Sequence, residues 1–259
     1  MQVKTRKIMP CLDLKDGQVV KGVQFKNIKT MGDPLDLARK YQEAGADALA
    51  MLDISKSQDG HAFYLDLISR IKGQLDIPLT VGGGIASLAD IDLVLGAGAD
   101  RVSIASAALA RPDLIREAAQ QFGSDRIVLA LDVGKDPASG KYYAYSQGGS
   151  QKTDVEALEA IQNFSELGAG SFLVTDISLD GSHRGFDLNF FKLAEKLTDR
   201  PFIASGGAGS IEDFVKLFQE TSVEYGLAAS IFHMGLVDIG DLKKALKAAG
   251  IAVDSNLGG

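Results

Sequence analysis

Short apolar runs rich in Val, Ile, Leu and Ala alternate along the chain with longer amphipathic segments, and their order predicts eight pairs of strand then helix. The strands fall at KIMPCL (7–12), ALAMLD (48–53), PLTVG (78–82), RVSIA (101–105), RIVLALD (126–132), SFLVTD (171–176), PFIAS (201–205) and YGLAA (225–229). Most are apolar throughout, which suits parallel strands buried on both faces, and parallel neighbours require a crossover helix between them. Helical spacing fills those gaps, for example over 34–46, 88–99, 154–170 and 213–220, with glycine near several ends as a stop signal. The longest interruption, 134–152, predicts a loop carrying a small hairpin after strand five.

The second half repeats the first at an offset of about 120 residues. Leu52-Asp53-Ile54-Ser55 returns as Thr175-Asp176-Ile177-Ser178, and the turn Gly82-Gly83-Gly84 returns as Gly206-Gly207-Ala208-Gly209. Ser106 falls opposite Ser230, and Asp13 opposite Asp132. A doubly wound sheet also alternates strand and helix, but a twofold repeat of four such units closes naturally into a barrel. The expected fold is therefore α/β: one (β/α)8 TIM barrel over 1–259, with half-barrels of about 1–122 and 123–259. No Pro/Ser-rich linker divides it.

Composition narrows the function classes. Hydrophobic residues at 46% and charged residues at 24% supply material for a large core and argue against disorder. A net charge of −7 disfavours a nucleic-acid or anionic-membrane surface, and with no Trp there is no evident stacking platform for bases. Cys11 is the only cysteine, so no internal disulfide or thiolate cluster is expected, and it reads as a small buried hydrophobe of strand one. His61, His183 and His233 share no metal-ligand spacing; neither a metal nor a cofactor is predicted. The opening stretch lacks the apolar run of a signal peptide, and no run approaches the length of a membrane span, which implies a soluble cytoplasmic protein.

In barrels of this kind the strand C-termini and the loops after them form the active site. Asp13 and Asp132 each end an apolar strand, and the repeat sets them across the mouth from one another. Two facing carboxylates permit proton shuttling if burial pushes their pKa values apart. The bland alternative, an Asp capping a turn, fits either one alone but not the symmetric pair. Glycine-rich turns present backbone N–H groups that hold phosphates. Gly83, Gly84 and Ser106 would form one such set, and Gly181, Gly207, Gly209 and Ser230 another, which suggests a substrate with a phosphate at each end. Lys15 and Lys21 lie in the segment KDGQVVKG, expected as a loop reaching over that substrate. Thr175 and Asp176 end strand six, where a hydroxyl and a carboxylate can bond the reacting centre, and Asp53 ends strand two.

Taken together, CLDLKDGQVVKGVQFKN, TVGGGI, FGSDRIVLALD, ASGGAG and LAASIFH occur in the order of one family's signatures. Along essentially its whole length the chain resembles the cyclase subunit of imidazole glycerol phosphate synthase, from histidine biosynthesis. The resemblance implies a lyase that takes ammonia and the phosphoribulosyl-formimino carboxamide ribotide, closes the imidazole ring and releases an aminoimidazole carboxamide ribotide. It implies that Asp13 and Asp132 are the catalytic acid/base pair. It places Lys21, Gly84, Ser106, Thr175, Asp180, Gly181, Gly207 and Ser230 around the substrate and its phosphates. It also implies a glutaminase partner on the N-terminal face, with Asp100 and Arg101 facing it. Where the family has four charged residues gating ammonia at the barrel bottom, this chain has Lys7, Ala48, Arg101 and Ser171, so both acidic members are missing. Ala105 stands where the family has Asn beside the first phosphate site, and TDISLDG (175–181) is closer to the sister isomerase of the pathway. That isomerase, a synthase that amidinates a sugar, and an idle or engineered scaffold are the rival readings.

Overall fold

The computed structural model of the protein describes residues 4–15, 17–23, 26–54 and 61–254, with the backbone alone at 21–23, 26–29 and 61–63. The first half runs β1 (Lys7–Lys15), β2 (Gln18–Val23), β3 (Lys26–Gly32), α1 (Pro34–Glu43), β4 (Leu49–Asp53) and α2 (His61–Lys72). It continues β5 (Leu79–Gly82), α3 (Leu88–Gly96), β6 (Arg101–Ile104), α4 (Ser106–Ala110) and α5 (Asp113–Phe122). The second half runs β7 (Ile127–Lys135), β8 (Tyr142–Ser146), β9 (Gln151–Glu156), α6 (Ala157–Leu167), β10 (Ser171–Asp176) and α7 (Leu188–Ala194). It ends with β11 (Phe202–Ser205), α8 (Ile211–Glu220), β12 (Tyr225–Ala228), α9 (Ser230–His233) and α10 (Ile239–Ala248). Apart from a 3-10 turn at Ser124–Arg126, the two halves share one order of strands and helices, which gives the sequence repeat its structural form.

Eight strands close a parallel ladder in the order β1, β4, β5, β6, β7, β10, β11, β12 and back to β1. This is a (β/α)8 barrel. Each predicted strand lies within one residue of its observed start, and the main departures from expectation lie just beyond strands one and five. The segment KDGQVVKG, expected as a loop, is strand: β1 runs on to Lys15 and pairs antiparallel with β2, which pairs with β3. Residues 154–156, expected to open a helix, instead finish β9, because the Thr153 hydroxyl bonds the Ala144 carbonyl and Glu156 pairs with Tyr143. Each half therefore begins with a barrel strand followed by a two-stranded excursion at the strand's C-terminal end.

Strand alternation splits the core in two. Met9, Cys11, Ala48, Ala50, Val128, Leu173, Ile203, Tyr225 and Leu227 fill the barrel interior, while the other faces pack against the helices. Cys11 is buried in that interior. At the N-terminal rim the acids are structural: Asp100 accepts from the Leu79 amide and Lys72, and Asp47 accepts from the Ile8 amide and the fully buried Lys243 of α10. Among the described residues no helix is long and apolar enough to cross a membrane.

Candidate active site

Barrel geometry puts Asp13 and Asp132 on opposite walls. Three strands separate β1 from β7 in either direction around the barrel, so the two carboxylates are diametrically placed near the C-terminal mouth. Asp13 sits beside Leu52 in the ladder, and the Cys11 thiol, two residues down the same interior face, lies 3.5 Å from its Oδ1. Asp132 lies between Thr175 of β10 and Tyr145 of β8. Burial, followed by the negative charge of Asp180, pushes the Asp132 carboxyl up to about 6, so neither of its protonation states is rare near neutral pH.

The glycine turns owe their composition to close approach. A Cβ at Gly83 (φ +103°) would lie 2.2 Å from the Asp53 carbonyl oxygen, and one at Gly206 (φ +89°) 2.7 Å from the Asp176 carbonyl oxygen. These two repeat-related contacts seat the turns after β5 and β11 against the neighbouring strand ends, and Gly84 and Gly207 also have positive φ. A Cβ at Gly207 would lie 2.0 Å from the Gly185 carbonyl oxygen, so the loop after β10 packs directly on this turn. The capping boxes Ser87/Asp90 and Ser210/Asp213 then start α3 and α8 in the same way in each half.

The two serines fall as the repeat predicts, directly after β6 and β12. Ser106 Oγ accepts from the Gln147 amide at 3.1 Å, so the tip of the β8–β9 hairpin covers it. Ser230 Oγ is 3.1 Å from His183 Nε2. A Cβ on Gly149 in that same hairpin tip would stand 3.8 Å from Asp132 Oδ2, which brings the excursion up to the catalytic candidate.

Several sequence candidates take other roles. The Asp176 carboxylate accepts from the Ser178 amide and hydroxyl and from the Leu179 amide, holding the turn that carries Asp180 and Gly181. Burial keeps it above the usual carboxylate range despite the bonds from Ser178. The Gly209 amide is committed to Asp213 at 2.9 Å, so it does not point at a ligand. Lys15 is exposed at the end of β1; Ser55 and the Lys21 side chain lie outside the described residues. Sequence reasoning missed Gln147 and gave His183 no role at the site, because their left-handed backbones (φ 53° and 56°) carry no sequence signal in non-glycine residues.

At the N-terminal end of the barrel the two cations of the expected gate positions meet. Lys7 bonds Glu224 at 2.8 Å and the Tyr225 hydroxyl at 3.1 Å, and Arg101 reaches the same hydroxyl at 3.3 Å. Both cations lie over the Tyr225 ring, at 4.8 and 5.7 Å from its centroid. Ala48, just before β4, and Ser171, which starts β10 and pairs with Val128 of β7, are both buried.

Residues 7–238 match the family described as histidine biosynthesis protein. Imidazole glycerol phosphate synthase subunit HisF of Staphylococcus saprophyticus is 46% identical over 248 residues, covering 96% of this chain and 98% of that one. The proteins of the same name from Staphylococcus aureus strains MRSA252 and RF122 match to the same extent. With the fold, the repeat and near full-length identity in agreement, the chain belongs to the histidine biosynthesis protein family.

Proposed function

We propose that this protein is the cyclase subunit of imidazole glycerol phosphate synthase, converting phosphoribulosyl-formimino aminoimidazole carboxamide ribotide and ammonia to imidazole glycerol phosphate, aminoimidazole carboxamide ribotide and water, the ketone oxygen leaving as the water. One observation carries the chemistry: two carboxylates on opposite strands of one mouth, flanked by two repeat-related turns each with its glycines and its serine. A substrate with a phosphate at each end spans such a mouth, and its reacting centre then lies between Asp13 and Asp132. Gly84 and Ser106 hold one phosphate; Gly181, Gly207 and Ser230 hold the other, while Lys21, Thr175 and Asp180 contact the body of the substrate. Raised by burial, Asp132 is the acid that protonates the leaving amine, and Asp13 is the base that takes the proton from the attacking nitrogen.

Ammonia reaches this site either from solution or from a glutaminase docked on the N-terminal face near Asp100 and Arg101. Lys7 and Arg101 converge on Tyr225, with Ala48 and Ser171 in place of acids, which supports weak coupling to that partner. The purified chain should therefore turn over with ammonium salts, and added glutaminase with glutamine should support a lower rate. Glutamine serving as well as ammonium would overturn the coupling argument. Consumption of the isomerase substrate instead of the cyclase substrate would overturn the assignment.

A further inference from the structure

Among the described residues only two non-glycine residues have positive φ, Gln147 and His183, and each touches one of the two repeat-related serines. A left-handed backbone costs a residue with a Cβ about 1 kcal/mol or more, and such strain persists where the surroundings over-determine it. For His183 the surroundings are explicit. A Cβ at Gly209 would lie 2.6 Å from the His183 carbonyl oxygen and 2.7 Å from its Cβ, so the histidine rests directly on the glycine turn after β11. Two residues along, the Gly185 amide bonds the Gly207 carbonyl at 2.8 Å. The loop is pressed down at and beyond His183, and its exposed ring reaches back to the buried Ser230.

The two sites are thus covered differently. Gln147 offers a backbone N–H to Ser106, while its side chain is engaged with Gln151 at 2.8 Å. At the second site a side chain does the covering, and an imidazole can donate a ring N–H to an anion lying against the serine hydroxyl. Resting on the reading of Ser230 as a phosphate ligand, we propose that His183 is a second ligand of the same phosphate, held in its strained conformation so that its Nε2 meets the anion beside Ser230. The strain then serves binding and contributes nothing to the fold.

That distinction sets the test. Asparagine tolerates the left-handed backbone well but is too short to place a donor where Nε2 stands. His183→Asn should keep its melting temperature, whereas the dissociation constant for inorganic phosphate, followed by calorimetry, should rise about tenfold, the worth of one hydrogen bond to a charged group. The rise should reappear in KM for the bisphosphorylated substrate. With only three histidines in the chain, ring resonances of the labelled protein give a direct readout, and the signal lost in His183→Asn should be one that shifts saturably with phosphate in the parent. If phosphate affinity falls in Ser230→Ala and stays unchanged in His183→Asn, the phosphate site stands and the role of His183 is refuted. If neither change alters binding, or the parent binds no phosphate, the site assignment falls with it. A lowered melting temperature with unchanged phosphate affinity would make His183 a structural latch and overturn the proposal.

Discussion

Burial and the charge of Asp180 together hold the Asp132 carboxyl at about 6, above its unfolded value near 4, and the consequence for stability has a definite sign. Ionising Asp132 costs more in the fold than in the unfolded chain, so this cost is absent below about pH 4, develops as pH rises to about 6 and is full above it. Replacing Asp132 by Asn removes the cost. Thermal melts should show the variant more stable by about 1–3 kcal/mol at pH 7.5, with the gap closing near pH 4. A constant gap across that range would place the ionisation elsewhere. In the proposed mechanism the same group is the acid and must be protonated, so kcat/KM should decline as pH rises through about 6, and a plot of kcat/KM against pH shows whether that limb exists. Asp13 is different in kind, since it sits inside the continuous strand β1, whose backbone makes the ladder bonds to β4. Asp13→Asn should abolish turnover and move the melting temperature by a few degrees at most, as calorimetry beside an activity assay would show.

At the scale of elements, the turns after β5 and β11 are built to one plan, and their close-packed glycines differ from Gly140, in the turn between β7 and β8, by the room around them. Gly83→Ala would push a methyl to 2.2 Å from a backbone oxygen, Gly206→Ala to 2.7 Å, and Gly140→Ala into open space at φ +71°. Urea unfolding should order the losses accordingly, with about 1 kcal/mol for Gly140→Ala and about 3 kcal/mol or more for Gly83→Ala. Equal losses would mean that backbone strain rather than contact sets the cost. The eight barrel strands were legible because parallel strands buried on both faces are written as continuous apolar runs. The excursion β2–β3 was not, since short stretches such as QVVKGV and KNIKTMG, interspersed with Lys, Gln, Asn and Gly, read as loop. The placement of the candidate site was legible where chemistry repeats, at Asp13 and Asp132, Ser106 and Ser230, and the glycine turns. It was hidden where geometry alone decides: nothing in SQGGS or GSHRG announces that Gln147 and His183 fold back onto those serines.

For the whole molecule, closure of the barrel joins the end of the chain to its beginning. β12 pairs with β1, and the fully buried Lys243 of α10 bonds Asp47, which also accepts the Ile8 amide. Removing one partner of a buried pair leaves an uncompensated charge and costs about 3–5 kcal/mol, whereas removing both costs much less. Lys243→Met should therefore unfold at markedly lower urea than the parent, and the added change Asp47→Asn should recover most of the loss. A double variant no better than the single one would show that the lysine matters for its packing alone. This seam lies at the N-terminal end of the barrel, away from the mouth, so its variants should lose stability before they lose catalytic rate.

Two opposed carboxylates acting on one bisphosphorylated substrate are the centre of the proposed mechanism. Their most direct test is ammonium-dependent consumption of phosphoribulosyl-formimino aminoimidazole carboxamide ribotide by the intact chain beside Asp13→Asn and Asp132→Asn. The prediction is turnover by the parent, and loss of at least about a hundredfold in each variant while both still bind the substrate, in line with removal of an acid or base. Turnover by either variant at the parent rate would contradict it.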